Sequence, residues 1–224
     1  MSPTAAIVAL WAGFAVTHIG LSSLRVRQPL IARIGAPAFL GLYSLVAFAF
    51  FVPLVWTYFA HKHDGPWLWL VERGRALHWT MYVGMGVAFV LLVASFVRPS
   101  PAGIVPGDPE PRGVYRITRH PLIMALALFG ALHTIPNASA ADVAFFGGFL
   151  AFGLLGAWHQ DRRKLALGVP GFRAFYEATP FLPFTGRETL RGVRELSPAV
   201  VATGIAAAAL VRWFHPSWFG GFAG

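Results

Sequence analysis

At 224 residues the chain has the length of one domain, yet 56% of it is hydrophobic and only 12% charged; with a mean hydropathy of +0.61 it is no ordinary water-soluble globule. A net charge of +9 would suit nucleic acid, but the basic residues fill the gaps between apolar runs, where they set topology and meet anionic lipid headgroups, so no nucleic-acid partner is expected. The absence of cysteine excludes disulfides, iron–sulfur clusters and cysteine-ligated zinc.

Apolar runs of about 20 residues match the length at which a helix crosses hydrocarbon, and the alternation of a membrane β-barrel is missing. The pattern predicts an all-α integral membrane protein, a bundle of about six transmembrane helices forming a single membrane domain over residues 1–224. The first span, about 4–24, stops at Arg25, Arg27 and Arg33; no basic residue precedes it, so it reads as a retained helix rather than a cleaved signal peptide. Pro29 interrupts the connection to a second span, about 36–60, which carries Tyr43 and Pro53. A polar loop from His61 to Pro66 leads to Trp67 and Trp69, suited to a membrane interface, and to a third span at about 76–97. Arg98 to Arg119 reads as a linker, with five prolines and with Gly103, Gly107 and Gly113. A short fourth span, about 120–136, turns through Asn137, Ala138 and Ser139 into a fifth, about 142–158, as an antiparallel hairpin. The polar stretch from His159 to Leu196 holds one interfacial helix near Gly171 to Glu177, and a last span covers about 198–214. Fourteen Lys and Arg fall on one side of this arrangement and four on the other. The positive-inside rule then puts the basic loops in the cytoplasm and both termini on the non-cytoplasmic side, in a membrane such as the bacterial inner membrane.

Ionisable side chains are costly inside a membrane and are functional candidates by default. The candidates are His18 in the first span and His133 in the fourth, with Tyr43 and Ser44 in the second; His78, His120, His159 and His215 stand near span ends, and His61 and His63 in an outer loop. Two buried histidines on different helices, without a carboxylate between them, suggest a bis-imidazole site such as haem iron offers. A histidine hydrogen-bonded to a neighbouring helix is the alternative. Gly130 and Phe129 lie one turn before His133, a small residue and an aromatic of the kind a flat macrocycle needs beside its ligand. Depth fits less well: His133 is roughly 18 Å from the basic end of its helix and His18 about 9 Å from that end of its own. His120 points roughly 140° away from His133 around the helix. It belongs to the run Arg116-Ile117-Thr118-Arg119-His120-Pro121, which would hold propionates or a substrate anion, or would simply set topology. Gly147, Gly148, Gly153 and Gly156 read as helix-packing positions, and Asp161 to Lys164 as a solvated helix end.

Taken together, Thr17-His18-Ile19-Gly20-Leu21 with Leu24-Arg25, Tyr58-Phe59, Asp64-Gly65, Leu68-Trp69, Arg116 to Pro121, Ala131-Leu132-His133, Gly156-Ala157-Trp158 and Asp161-Arg162-Arg163 resemble the NnrU family, and within it the 15-cis-ζ-carotene isomerases. That resemblance implies a membrane haem b protein, with His18 and His133 as axial ligands and as the catalytic pair, acting as a redox-dependent cis–trans isomerase of a carotenoid dissolved in the lipid. Arg25, Arg116, Arg119 and His120 would lie near the haem propionates. The plant enzymes carry a cysteine three residues before the second ligand; here that residue is Gly130. A second branch of the family implies an accessory role in denitrification without catalysis. The run Arg119-His120-Pro121, with Asp161, Phe172, Phe175-Tyr176 and Leu182-Pro183, is also similar to the C-terminal region of isoprenylcysteine carboxyl methyltransferases, which implies S-adenosylmethionine as a third alternative.

Overall fold

The computed structural model describes residues 1–97, 99–101 and 107–220, so part of the linker expected from Arg98, including Gly103, lies outside the described residues. Within them the chain forms ten helices, and the one β-type pairing is an isolated antiparallel bridge between Trp67 and Ser139.

Helix α1 (Pro3–Ser22) starts where Ser2 accepts a hydrogen bond from the Ala5 N–H at 3.2 Å, with proline in its first turn. It is followed by α2 (Leu24–Ile34), α3 (Ala36–Ala60), α4 (Arg75–Val97), the single turn α5 (Val114–Ile117), α6 (Pro121–Thr134), α7 (Ala140–Ala166), the short α8 (Phe172–Ala178) and α9 (Thr189–Arg194), and α10 (Pro198–Phe219). Five of them, α1, α3, α4, α7 and α10, are long and apolar enough to cross a membrane. The protein is an α-helical membrane bundle, with Val16, Leu45, Trp56, Val83 and Trp213 among the large apolar side chains turned outward, as lipid requires.

Three differences from the sequence reading have physical causes. Helix α6 has 14 residues, about 21 Å, which is short of a full span; it lies packed between α4 and α7. Helix α7 has 27 residues and runs two turns beyond Trp158, because its charged end is engaged by other segments rather than by water. Pro29 sits inside α2 and does not end it; proline removes one intrahelical hydrogen bond, and no residue of this amphipathic helix is buried.

The packing order is α3, α1, α7, α6, α4, α10, each helix touching the next. Helix α10 runs antiparallel to α4: Gly204 lies against Val90, and the Arg212 guanidinium sits 5.7 Å from the Tyr82 ring. At its far end α10 reaches α3, where Phe219 stacks on Phe59 at 6.3 Å and its main-chain oxygen accepts from Lys62 Nζ at 2.6 Å.

At the basic end of the bundle, the polar stretch folds into a cap with a core of its own. Val114, Tyr115, Ile117, Phe172 and Phe175 are all at most 4% exposed and pack on Leu91, Ala94, Ala125 and Val200 of the bundle. At roughly 1.5–3 kcal/mol for each large side chain removed from water, this cluster is enough to order short helices that would not form alone. Sequence patterning found α8 within a residue of its position but not the core it belongs to.

Candidate functional site

Helix α7 carries the interior of the membrane half. Its residues Phe145, Phe149 and Phe152 repeat at helical spacing, and with Phe146 they face α1, α3 and α6. Trp11 of α1 stands edge-on to Phe149 at 5.1 Å and near Phe152 at 6.1 Å, while Phe149 contacts Phe129 of α6 at 5.4 Å. The Trp11 indole N–H donates to the Phe145 carbonyl at 3.1 Å, satisfied inside the apolar layer. Close approach depends on two glycines. A Cβ on Gly148 would run into the Trp11 indole, and one on Gly130 would meet the Phe146 carbonyl oxygen and Phe149 Cβ. Gly130 therefore lets α7 approach α6; the space beside it is taken by backbone, not by a macrocycle.

The two histidines singled out from the sequence sit at opposite ends of this aromatic layer. His18 packs against Phe14 at 5.0 Å, Tyr43 at 4.5 Å and Phe152 at 5.3 Å, and Tyr43 donates to the His18 main-chain oxygen at 3.3 Å. Its Nδ1 is buried with no hydrogen-bond partner among the described residues. His133 packs against Phe129 at 4.3 Å, Phe146 at 5.0 Å and His215 of α10 at 6.5 Å. Its Nδ1 lies 2.9 Å from the Phe129 carbonyl; since a carbonyl only accepts, the proton is on Nδ1 and Nε2 keeps its lone pair, the form in which imidazole binds a metal.

Among the described residues no three His, Asp or Glu side chains gather as a metal cage; haem iron asks for no such cage, only imidazole donors. The donor chemistry of His133 and of the unpartnered His18 nitrogen fits that group. This packing does not bring His18 and His133 together. Phe152, which touches His18, and Phe146, which touches His133, are six positions apart on α7, about 9 Å along the axis, and Trp11 and Phe149 fill the layer between. The depth mismatch visible in the sequence is thus present in the fold.

The basic cluster is also arranged differently from a propionate clamp. Asp161 of α7, 3% exposed, receives Arg119 Nε at 2.8 Å on one oxygen and lies 2.8 Å from His120 Nε2 on the other; Arg119 also donates to the Thr179 carbonyl at 2.6 Å. Arg119 lies over the Tyr176 ring at 4.2 Å. Arg116 pairs with Glu195 at 3.0 Å and Glu188 at 3.1 Å. Arg119 and His120 join the cap to α7, and Arg116 ties α5 to the α9 segment within the cap, so these side chains are engaged within the protein. Arg25 stands apart, exposed on α2. The helix end Asp161 to Lys164, read as solvated, is built in: Arg163 donates to the Ser22 carbonyl at 3.2 Å and Lys164 to that of Pro101 at 2.8 Å. His120 and Asp161, the residues on which a methyltransferase site would depend, are spent on this junction.

A second polar junction, at the opposite end, escaped the sequence reading. Asp142, fully buried, accepts from Tyr58 Oη at 3.0 Å and Ser139 Oγ at 2.8 Å and lies 2.9 Å from His63 Nδ1. The spacing Ser139 to Asp142 at a helix start was the available signal. Outside the spans, the clearest perturbed group is Glu195: the Gly113 N–H at 2.7 Å, reinforced by Arg116 and Arg191, holds its carboxyl below the usual range.

Comparison with known proteins gives this architecture relatives. The chain is 30% identical over 200 residues to the chloroplastic 15-cis-zeta-carotene isomerase of Arabidopsis thaliana, covering 84% of this chain and 53% of that protein. It is 27% identical over 187 residues to the corresponding Zea mays isomerase, covering 79% and 50%. The chain thus spans about half the length of the curated relatives it matches. No solved structure matches it. The profile of the NnrU protein family matches residues 6–222, and the chain belongs to that family.

Proposed function

We propose that this protein is a membrane-embedded cis–trans isomerase of a carotenoid-class polyene, working with haem b. The observation that carries the reading is the similarity to two 15-cis-zeta-carotene isomerases along 79% and 84% of the chain. The fold supports it chemically: imidazoles stand among Phe14, Phe129, Phe146 and Phe152, in surroundings a polyene shares, and a substrate already dissolved in lipid needs no aqueous entrance. Haem b, when bound, would supply redox-active iron chemistry. His133 would hold the group through Nε2, with its ring fixed by the Phe129 carbonyl; His18, the second donor that the family resemblance supplies, would have to move toward His133 to share it. The aromatic layer would exclude water and orient the polyene. We place the basic end in the cytoplasm of a bacterial inner membrane, on the fourteen-to-four distribution of Lys and Arg.

Expression in a host that accumulates 15-cis-ζ-carotene tests the reading by pigment chromatography. Conversion by the wild type, lost in His133→Ala at equal membrane level, supports it; an unchanged pigment profile with abundant inserted protein points to the accessory role instead.

A further inference from the structure

The sequence places one arginine of α2 on the wrong side of its helix. On a 3.6-residue period Arg27 falls among Leu24, Leu30, Ile31 and Ile34, on the apolar face, while Arg25 and Arg33 fall on the other side. In the fold Arg27 is half-buried and lies over the Phe39 ring of α3 at 4.8 Å. Across from it is the break between α1 and α2, where Ser23 is extended and the Ser22 carbonyl accepts from half-buried Arg163 of α7 at 3.2 Å. The charge of Arg27 bears on Arg163 and on Lys164 beside it.

The cap arginines Arg116, Arg119 and Arg191 have carboxylate partners. Among the described residues no Asp or Glu stands within ion-pair distance of Arg27 or Arg163. His159, one turn before Arg163 on α7, has a buried Nε2 with no hydrogen-bond partner among the described residues. Half-buried cations that repel one another are costly without a counter-ion, and two guanidinium groups with an imidazole N–H are the donors that phosphate oxygens take. Helix α2 indicates which phosphate. It is amphipathic and buries none of its residues, as a helix lying in the membrane interface does, and its apolar face carries Arg27 to the level of the lipid headgroups.

From this arrangement we infer that Arg27, Arg163 and His159 form a seat for the phosphate of an anionic membrane phospholipid, where α1 gives way to α2. Bound there, the headgroup bridges α2 to α7 and braces the break at Ser22 and Ser23. The seat uses neither His18 nor His133 and does not depend on the haem reading.

The test is native mass spectrometry of the full chain in mild detergent, titrated with dioleoyl phosphatidylglycerol, with zwitterionic dioleoyl phosphatidylcholine, and with inorganic phosphate. Phosphatidylglycerol should bind roughly 30-fold more tightly than phosphatidylcholine, at about fivefold for each basic residue near the headgroup. Arg27→Gln and Arg163→Gln should each weaken it about fivefold. Arg162→Gln, which removes a charge lying over Trp158, should leave it unchanged. Arg163→Gln also loses the bond to Ser22, so Arg27→Gln is the decisive variant. Equal binding of the two lipids, or an Arg27→Gln protein that binds phosphatidylglycerol like wild type, overturns the inference. So does inorganic phosphate that displaces the lipid at matched concentration, which would make the ligand a soluble phosphate. Loss of haem absorbance in Arg27→Gln with lipid binding intact would give the seat to propionates, overturning the inference and leaving the haem reading standing.

Discussion

Trp11 on α1 donates its indole N–H to the main-chain oxygen of Phe145 on α7 at 3.1 Å, and the ring lies where a side chain at residue 148 would otherwise project. This contact fixes how closely the first and seventh helices approach, and hence the thickness of the aromatic layer between His18 and His133. Gly148→Val forces the two helices apart and should cost roughly 1–3 kcal/mol, as overpacking does. Trp11→Phe loses the hydrogen bond and part of the ring, and an interhelical hydrogen bond in lipid contributes about 0.6–2 kcal/mol. Thermal unfolding in mild detergent should rank both variants below wild type; a Gly148→Val protein as stable as wild type would contradict the packing described.

Asp161 holds Arg119 and His120 at once, and each part of that arrangement is buried. Asp161→Ala leaves Arg119 uncompensated and should destabilise by about 3–5 kcal/mol, whereas removing both partners should cost less than the sum of the single changes. A double-mutant cycle on Asp161 and Arg119, read by detergent unfolding, checks this. Additive effects would show that the junction does not couple the cap to the bundle.

The helical spans were legible in the sequence because lipid imposes a length and a composition that no other constraint mimics. So was the unequal depth of His18 and His133, which follows from counting residues along two helices. Asp161 was not: its partners Arg119 and His120 come from about 40 positions away, and a charged helix end that is buried by a distant loop looks the same in sequence as one in water. His215 was read only as a residue near a span end for a similar reason: its neighbour His133 stands on another helix, and no local pattern encodes that. The cap was half legible, since the α8 aromatics repeat at helical spacing while Tyr115 and Ile117, which complete their core, sit in a single turn of helix.

Glu195 gives the cap a pH dependence. Its carboxyl is held below the usual range by the Gly113 N–H and then by Arg116 and Arg191, so the folded state prefers the ionised form. The stabilisation is fully present above the unfolded-state value, roughly pH 4, and is lost as pH falls through the lower folded-state value. Glu195→Gln should therefore lower stability at neutral pH and flatten the acid limb of the curve. An acid limb identical to wild type would contradict the assignment.

Tyr58 supplies one of the hydrogen bonds to the fully buried Asp142. Tyr58→Phe keeps the ring stacked on Phe145 but leaves the carboxylate short of a donor, at a cost of about 1.5–3 kcal/mol. Protease susceptibility of the loop around His63, which Asp142 also holds, should rise with it; no change in either stability or cleavage would remove this junction from the account.

The most direct test of the isomerase reading is turnover by the purified, haem-loaded protein: 15-cis-ζ-carotene in lipid vesicles, with and without reductant, followed by chromatography of the cis and trans forms. Reductant-dependent loss of the 15-cis form, absent in His133→Ala, is the predicted result. A folded, haem-loaded wild type that leaves the isomer ratio unchanged in both states would contradict it.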